Sequence, residues 1–371
     1  MKVCKFGGSS LADAKQLNKV MDIVLADPAR RIVVVSAPGK RNGADTKVTD
    51  LLIALANTAI AGGDTKDGVS AVVSRYAEIA EELELGDEIV TRIEEDINWR
   101  LGQLGELKAD EFLDLMKASG EDNNAKLVAV AFEKRGKKAR YASPKDTGLI
   151  LKGQFGDAEL DTESYTKLAR AFSNFDGIVI YPGFFGYTRE GKVATFPRGG
   201  SDITGSILAV AVCADVYENF TDVNSVYPCD PRIVEEVKQG EGIQTMTYRE
   251  MRELAYAGFG VFNDDAVIPA VKARIPINIR NTNEPSAPGT MIQQSRRVVP
   301  GTVVGIASAD GFCNIVVEKY LMNRQIGFGR RLLQVLENEG IAYEHMPSGV
   351  DSQCVVIKES YLPKEKEHRV V

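Results

Sequence analysis

Short runs of β-branched residues alternate with segments of helical periodicity, and this alternation limits the possible folds more than any other feature of the chain. Residues 3–6 and 32–36 are two such runs. Between them, apolar residues recur at helical spacing, namely Leu17, Val20, Met21, Val24 and Leu25. The alternation returns with a helical segment at 122–134, a strand at 139–142, a helix at 162–173 and a strand at 177–181. The sequence therefore predicts an α/β fold, with a largely parallel sheet sandwiched by helices.

Two segments interrupt this alternation. Residues 67–118 are rich in Glu, Ala and Leu and predict a helical elaboration outside the sheet. Residues 184–196 alternate about a central Arg189-Glu190-Gly191-Lys192 and predict a β-hairpin.

A change of composition near residue 294 predicts a domain boundary. A length of 371 residues favours two or three domains. After residue 280 the chain is rich in Asn, Pro and Gly, and then reads Arg296-Arg297-Val298-Val299-Pro300, which is typical of a linker. We expect one domain at 1–293 and another at 294–371.

The segment after the boundary predicts a small α+β module. Strand-like segments at 303–318, 341–346 and 353–358 surround a helical segment at 329–338. Residues 365–371 come next, and the sequence predicts neither a second helix nor a closing strand after 353–358. We therefore expect this module to be incomplete.

Charge and cysteine content argue against several classes of partner. The 45 basic residues are outnumbered by 52 acidic ones, for a net charge of −7, which disfavours nucleic acid and anionic membranes. The five cysteines are scattered and form no Cys-x-x-Cys pair, which favours a reducing compartment. Residues 1–6 resemble a strand rather than a signal peptide, and the apolar run at 207–214 is too short to span a bilayer. These features predict a cytoplasmic protein.

Histidine content narrows the chemistry further. His345 and His368 are the two histidines in the chain, so nothing upstream can use an imidazole as base or ligand. This argues against Ser-His-Asp hydrolysis and a histidine-bound zinc. Lysine, arginine, carboxylates and backbone amides remain, and these groups suit phosphoryl transfer.

A glycine pair follows the first strand in the segment Lys5-Phe6-Gly7-Gly8-Ser9-Ser10. Glycines allow backbone N–H groups to approach an anion, and Lys5 supplies a positive charge for phosphate oxygens. The alternative is a tight strand-to-helix connection with a surface lysine. This motif alone favours the structural alternative over a phosphate site.

A second glycine pair precedes a buried helix in the segment Phe196-Pro197-Arg198-Gly199-Gly200-Ser201-Asp202. Arg198 offers a planar fork for a carboxylate. Asp202 is either an acidic residue at a helix N-terminus or a partner of Lys5 that orients a phosphate.

Three further segments each have a structural alternative. Residues 220–232 contain Thr221, Asp222, Tyr227 and Arg232, which form either a nucleotide site or an Asx-rich turn. Residues 119–126 open a predicted helix, where Glu121 and Asp122 are expected as acidic first-turn residues. Residues 36–40 form either a functional loop or an ordinary one.

Taken together and in this order, the motifs resemble the aspartokinases of the amino-acid kinase superfamily over nearly the whole chain. The motif sequences and their spacing are most similar to those of aspartokinases from Gram-positive bacteria. The resemblance rests on Lys5-Phe-Gly-Gly-Ser-Ser, Val33-Val-Val-Ser36-Ala, Val48-Thr49-Asp50-Leu-Leu, Ser119-Gly-Glu121, Pro182-Gly-Phe-Phe-Gly, Arg198-Gly-Gly-Ser-Asp202 and the segment from Thr221-Asp222 to Arg232.

The resemblance implies transfer of the γ-phosphoryl group of Mg-ATP to the side-chain carboxylate of L-aspartate. The product would be 4-phospho-L-aspartate, at the entry to lysine, threonine and methionine synthesis. It implies Lys5 and Asp202 as catalytic residues, without a protein-bound metal. Substrate contacts would come from Ser36, Thr49, Glu121, Arg198 and Ser201. ATP contacts would come from Lys5, Gly7, Gly8, Ser9, Gly199, Gly200, Thr221, Asp222, Tyr227 and Arg232.

The chain departs from the family pattern in two places. Many relatives read Gly-Ala-Lys-Val-Leu-His-Pro where this chain reads Gly258-Phe259-Gly260-Val261-Phe262-Asn263-Asp264. Gly260 thus replaces a nucleotide-site lysine, so either Arg232 or a backbone contact compensates, or ATP binding is weaker. The family also ends in two ACT domains, and residues 303–358 resemble the start of one.

An ACT module in this family binds an end-product amino acid, usually at a dimer interface. The resemblance therefore implies feedback control by lysine or threonine and a homodimer formed through this region. An ordinary α+β appendage is the alternative. Its predicted core consists of Met322, Ile326, Phe328, Leu332, Leu333 and Leu336.

Two other functions stay open. One is a kinase of the same superfamily acting on glutamate, acetylglutamate or carbamate. The other is an amino-acid-binding protein that has lost catalysis through the change at Gly260.

Overall fold

The structure is a computed structural model that describes residues 1–197, 199–240, 242–256, 264–297 and 303–370. The chain divides into two compact units, Met1–Ala307 and Ser308–Val371. The first unit extends beyond the boundary expected near residue 294. Val304 and Ala307 pack against its core, and the Ile306 N–H donates to the Pro228 carbonyl at 2.7 Å.

A largely parallel sheet forms the centre of the first unit. The strands of this unit are β1 (Lys2–Phe6), β2 (Arg30–Val35), β3 (Ala139–Tyr141), β4 (Leu151–Gln154), β5 (Asp157–Leu160), β6 (Ile178–Pro182), β7 (Phe185–Tyr187), β8 (Val193–Thr195), β9 (Val216–Thr221), β10 (Thr245–Thr247), β11 (Ile277–Asn281) and β12 (Thr290–Gln293). Within the described residues, eight of them form one sheet in the order β10-β12-β11-β9-β1-β2-β6-β3. The pairs from β11 to β3 are parallel, and β12 runs antiparallel to β11. The predicted α/β class is confirmed.

Helices cover both faces of this sheet. They are α1 (Ala14–Leu25), α2 (Val48–Ile60), α3 (Lys66–Glu82), α4 (Asp87–Leu101), α5 (Ala109–Lys134), α6 (Pro144–Thr147), α7 (Glu163–Phe172), α8 (Gly200–Ala211), α9 (Tyr248–Tyr256) and α10 (Ile268–Lys272). The helical elaboration predicted at 67–118 corresponds to α3, α4 and the start of α5. The predicted hairpin is formed by the antiparallel strands β7 and β8.

Alternation along the central strands divides the core into two layers. Cys4 and Phe6 of β1 pack on one side, in a cluster that includes residues of α1, α2 and α5. Val3 of β1 and Tyr217 of β9 pack on the other side with residues of α7 and α8. The β-branched residues of β2 contribute to both layers, so this strand is buried on both faces.

The second unit is small and is built on an antiparallel strand pair. Its elements are β13 (Phe312–Glu318), α11 (Phe328–Asn338), β14 (Ser352–Lys358) and α12 (Lys364–Val370). Leu336, Ile341, Val355 and Ile357 form its core.

The second unit differs from the sequence prediction in three respects. Only residues 312–318 of the predicted 303–318 segment form a strand, and 341–346 contribute a single bridge from His345 to Val356. Residues 364–370 form a helix that was not predicted, with acidic residues in its first turn and basic ones in its last, as the helix dipole favours. Ile326, predicted as core, is 99% exposed because it precedes the helix and lies outside its apolar stripe.

No helix in the described ranges combines the length and the apolar content needed to cross a membrane.

Candidate functional site

The loops that follow β1, β2 and β9 meet at the carboxyl edge of the sheet. The Gly7 N–H donates to the Phe220 carbonyl at 3.3 Å, and the Ser36 N–H donates to the Phe6 carbonyl at 3.3 Å. The Gly39 N–H in turn donates to the Gly8 carbonyl at 2.9 Å. Ligands of open α/β sheets bind at this edge, so these loops are the candidate site.

Gly8 and Gly39 allow the first two loops to approach each other closely. A Cβ atom on Gly39 would lie 2.5 Å from the Gly8 carbonyl carbon, so any side chain there would separate the loops. The predicted helix start differs in detail. Gly8–Leu11 form a 3-10 turn, and α1 begins at Ala14 after the cap of Asp13, whose carboxylate accepts from the Gln16 N–H at 2.8 Å.

Buried Lys5 and partly buried Asp202 form an ion pair at this edge. Lys5 lies opposite Asn219 in the pairing of β1 with β9. Its Nζ is 2.7 Å from Asp202 Oδ1, and Asn219 Nδ2 donates to the same oxygen at 2.7 Å. Asp202 lies in the first turn of α8, so it combines both arrangements that the sequence left open.

Close packing of glycines sets the start of α8. Gly199 has a φ of 85°, in the left-handed region that glycine adopts without strain. A Cβ atom on Gly183 would lie 2.6 Å from Ser201 Oγ, so the loop after β6 lies directly against buried Ser201. Arg198, predicted to bind substrate, lies outside the described residues.

Glu121 is a buried carboxyl group beside the loop that follows β2. Its side chain is 5% exposed, and within the described residues its Oε2 has no hydrogen-bond partner. Burial raises its pKa to about 8, although hydrogen bonds from the backbone of Ala37 and of Glu121 itself act in the opposite direction. A cationic group of a ligand would satisfy this oxygen and favour the ionised form.

The position of Glu121 corrects the expectation of a helix beginning at residue 119. It lies within α5, which begins at Ala109 and continues to Lys134. The prediction was wrong because acidic residues are typical of the first turn of a helix, whereas Glu121 and Asp122 lie in the middle of α5. Asn124, one turn further along, donates to the Ser36 carbonyl at 2.6 Å and joins α5 to the loop after β2.

Ser36 and Thr49 lie at the two ends of the connection between β2 and α2. Both are half-buried, and Thr49 is in the first turn of α2. The Val48 N–H donates to the Pro38 carbonyl at 3.1 Å, which holds the two ends of this connection together.

The segment predicted to bind a nucleotide is more dispersed. Thr221 ends β9 and donates to exposed Asp222 at 3.1 Å. Tyr227 lines a cavity of about 460 Å³ together with residues of the 284–289 turn. Arg232 has a 79% exposed side chain and pairs with Asp230 at 2.6 Å. The structure thus does not join Arg232 to Lys5 and Asp202, and Gly260 lies outside the described residues.

Three polar residues at this edge escaped the sequence analysis: Asn219, Asn124 and Arg75. Arg75 of α3 donates to backbone carbonyls of the site loops. The pattern could have revealed both residues, because Arg75 lies between the buried Val72 and Tyr76 of α3, and Asn219 with Glu218 forms a polar pair between buried Tyr217 and Phe220 in β9.

Comparison with known proteins gives consistent matches. Residues 1–281 match the amino acid kinase family. Aspartokinase 3 of Bacillus subtilis is 53% identical over 100% of this chain and 81% of its own length. The crystal structure of the aspartate kinase of Clostridium acetobutylicum, described as an allosteric enzyme, superposes with a TM-score of 0.85 at 36% identity, over 100% of this chain and 81% of that one.

Two crystal structures of aspartokinase III of Escherichia coli, with different bound ligands, are also similar to this chain. Its complex with aspartate and ADP, the R-state, has a TM-score of 0.77 at 26% identity, over 96% of this chain and 78% of that one. Its complex with lysine and aspartate, the T-state, has a TM-score of 0.76 at 25% identity, over 100% and 83%.

Proposed function

Because this chain belongs to the aspartokinases of the amino acid kinase family, we propose that it transfers the γ-phosphoryl group of ATP to the side-chain carboxylate of L-aspartate. It is accordingly a kinase whose acceptor is a carboxyl group, and the product would be 4-phospho-L-aspartate. The observation that carries the proposal is the Lys5–Asp202 pair beside the glycine loops. A transferring phosphoryl group needs a positive charge beside it, so a lysine at the glycine loops supports the proposal.

The reaction needs no general base. One oxygen of the ionised aspartate side chain would attack the γ-phosphorus while the bond to the β-phosphate oxygen breaks, and ADP would leave with that electron pair. No proton is transferred in this step. The chemistry is therefore compatible with a chain whose histidines are His345 and His368.

Charge on the transferring group would be stabilised mainly by Lys5. Its ammonium would contact phosphate oxygens while Asp202, itself hydrogen-bonded by Asn219, holds it in place. Backbone N–H groups of the two glycine loops would add further donors. The residues assigned to these loops are Gly7, Gly8, Ser9, Gly199 and Gly200.

The acceptor would bind on the side of Glu121. Its unpartnered Oε2 supports a role in holding the ammonium of L-aspartate. Ser36, Thr49 and Ser201 would contact the substrate from the surrounding loops, and we assign its carboxylate to Arg198. The nucleotide would lie along Thr221, Asp222 and Tyr227, and Arg232 would have to exchange Asp230 for a phosphate.

Mg²⁺ is best treated as part of the nucleotide substrate. Across the described residues, no group of three or more His, Cys, Asp or Glu side chains lies close enough to hold a metal ion. A resident metal cage therefore does not fit this part of the chain. Mg²⁺ commonly binds through phosphate oxygens and water, with few protein ligands.

We also propose regulation by an end product of the pathway to lysine, threonine and methionine. The lysine complex of the Escherichia coli enzyme supports an amino-acid effector. The second unit would bind lysine or threonine and form a homodimer. Exposed apolar side chains there, including Tyr320 and Val316, support such an interface. Light scattering and the effect of each amino acid on rate and melting temperature test this proposal.

The reaction itself is tested by trapping acyl phosphate with hydroxylamine in the presence of ATP. L-Aspartate, L-glutamate and N-acetyl-L-glutamate are compared as acceptors. Hydroxamate formed from L-aspartate alone is the expected result. Product from another acceptor reassigns the substrate, and folded protein that yields no product with any acceptor indicates a binding protein.

A further inference from the structure

Arg75 is a buried arginine of helix α3 whose guanidinium is surrounded by backbone carbonyls. The residue is 4% exposed and lies between the buried residues Val72 and Tyr76. Nη1 donates to the Thr46 carbonyl at 2.7 Å. Nη2 donates to the Gly39 carbonyl at 2.8 Å and to the Ala12 carbonyl at 3.3 Å. Asp45 Oδ2 lies 3.2 Å from Nη1 and supplies a negative charge.

These acceptors belong to the two loops that the proposed reaction brings together. Ala12 follows the 3-10 turn of the phosphate loop, and Gly39 and Thr46 lie near the two ends of the connection from β2 to α2. The loops also touch directly through Gly39 and Gly8. The guanidinium therefore fixes the loop assigned to ATP relative to the loop assigned to L-aspartate.

The chemistry of arginine suits this position. Its planar fork presents donors in fixed directions from separate nitrogens, whereas a lysine ammonium is a single point. A lysine at position 75 could reach only part of this set of carbonyls. The remaining buried carbonyls would lose their donors, at a cost in free energy and in order.

The next residue of α3 adds support from the other side of the acceptor. The Tyr76 hydroxyl donates to the Gly120 carbonyl at 2.8 Å, immediately before Glu121. Consecutive residues of one helix thus contact the site loops and the α5 segment that carries Glu121.

We propose that Arg75 is a positioning residue, which holds the phosphate loop and the acceptor loop at the separation that phosphoryl transfer requires. The inference rests on the proposed function, because it assigns ATP to one loop and L-aspartate to the other. A displacement of about 1 Å between reactants can lower a rate about 100-fold while binding changes little. Loss of the fork should therefore lower kcat far more than it raises either KM.

The test compares Arg75→Lys with Arg30→Lys in the full chain. Arg30 is a matched control because it is also buried and also paired, with Glu218 at 2.6 Å, but it lies at the opposite end of β2. We expect Arg75→Lys to lower kcat about 10- to 100-fold with both KM values within about threefold. Arg30→Lys should keep kcat within about twofold, although its melting temperature falls.

A wild-type kcat in folded Arg75→Lys overturns the proposal, and so does an equal loss in Arg30→Lys. If Arg75→Lys does not fold, Asp45→Asn removes the charge facing the guanidinium, together with the ion pair between Asp45 and Arg41, and is expected to lower kcat about two- to fivefold. An unchanged kcat in that variant then overturns the proposal. Failure of the proposed function is detected separately, from the absence of acyl phosphate with the wild-type chain.

Discussion

Strands β1 and β9 carry a buried ion cluster on each face, and the two clusters differ in how completely the protein satisfies them. Lys5 and Asn219 lie on one face with Asp202. Cys4 and Glu218, one position earlier in each strand, lie on the other face. The same pair of strands therefore offers a direct comparison of a structural cluster with the cluster that we propose to be catalytic.

The cluster around Glu218 is closed. Arg30 donates to both of its carboxylate oxygens at 2.6 and 3.0 Å, and Arg280 contacts one of them at 3.2 Å. The Cys4 thiol donates to the carboxylate at 3.3 Å. Burial raises the pKa of Glu218, but the hydrogen bonds and charge of Arg30 outweigh it, so the pKa is lowered overall. Both carboxylate oxygens of Glu218 are therefore satisfied by protein donors.

The cluster around Lys5 is open. In the part of the chain that the structure describes, Asp202 is the carboxylate within ion-pair distance of its Nζ. An ammonium carries three donors, so further hydrogens stay available to phosphate oxygens. The comparison suggests a general distinction. A buried charge whose hydrogen bonds are all made within the protein contributes to stability, and one with donors to spare is available to bind a ligand.

The largest effect is expected from removing the cation of each cluster. Lys5→Met should lower kcat at least about 1,000-fold, because the transferring phosphoryl group loses its main positive charge. Arg30→Met should cost about 3–5 kcal/mol of unfolding free energy, because Glu218 stays buried with fewer partners. Steady-state kinetics and urea denaturation of both variants measure the two quantities.

The contrast requires that each variant changes mainly one quantity. Lys5→Met is expected to cost less stability than Arg30→Met, because Asp202 is partly exposed and keeps the hydrogen bond from Asn219. The folded fraction of Arg30→Met should keep kcat within about twofold. Similar rate losses in both variants would mean that the two clusters are not functionally distinct.

The second largest effect is expected from a change of pH. Arg30 lowers the pKa of Glu218, whereas burial raises the pKa of Glu121. Its pKa of about 8 leaves the empty site mostly protonated at pH 7. Since the ammonium of L-aspartate would bind the ionised form, affinity should rise roughly eightfold from pH 7 to pH 8.5. Calorimetric titration of L-aspartate at several pH values tests this, with Glu121→Gln as the control that should show no such dependence.

Stability of the empty protein should change with pH in the opposite direction. The pKa of Glu121 in the folded state lies above its ordinary value of 4.5, so the folded state keeps a proton that the unfolded state has released. The free energy of unfolding should therefore fall as pH rises from about 4.5 to about 8. Glu121→Gln should become more stable than wild type at pH 8 and lose that advantage at pH 5. A difference that does not vary with pH would contradict the assignment.

The smallest effect is expected from one asparagine on each face. Asn219→Ala should lower kcat about five- to tenfold, because Asp202 loses the donor that orients it towards Lys5. Asn278 of β11 lies level with Glu218, and among the described residues its Oδ1 has no partner. Asn278→Ala should keep kcat within about twofold. A loss of rate in the second variant alone would reverse the roles assigned to the two faces.

The fold and the centre of the site were accessible from sequence because both depend on local patterns. The β-branched runs predicted the parallel sheet, and the glycine pairs marked the end of the strand that carries Lys5 and the start of the helix that carries Asp202.

The rest depends on contacts that no local pattern encodes. Arg75 contacts carbonyls that precede it by 29, 36 and 63 positions, so its role appears only when three segments are assembled. The start of α5 was misplaced because Glu121 and Asp122 have the composition of a helix N-terminus while lying inside a 26-residue helix. The first unit extends to Ala307 because apolar residues beyond the expected linker pack on its core.

The pairing of β1 with β9 also has a consequence for how the protein is made. Cys4 and Glu218 are 214 positions apart, so at ribosomal speeds about 10 to 40 seconds separate their synthesis. During that interval β1 has no neighbour on one side, and closing so long a loop is slow compared with forming local contacts. Both ion clusters depend on this single pairing. Thermal resistance and catalytic competence should therefore return together when the chain refolds, and β1, although synthesised well before β9, reaches its final environment only after β9 has formed.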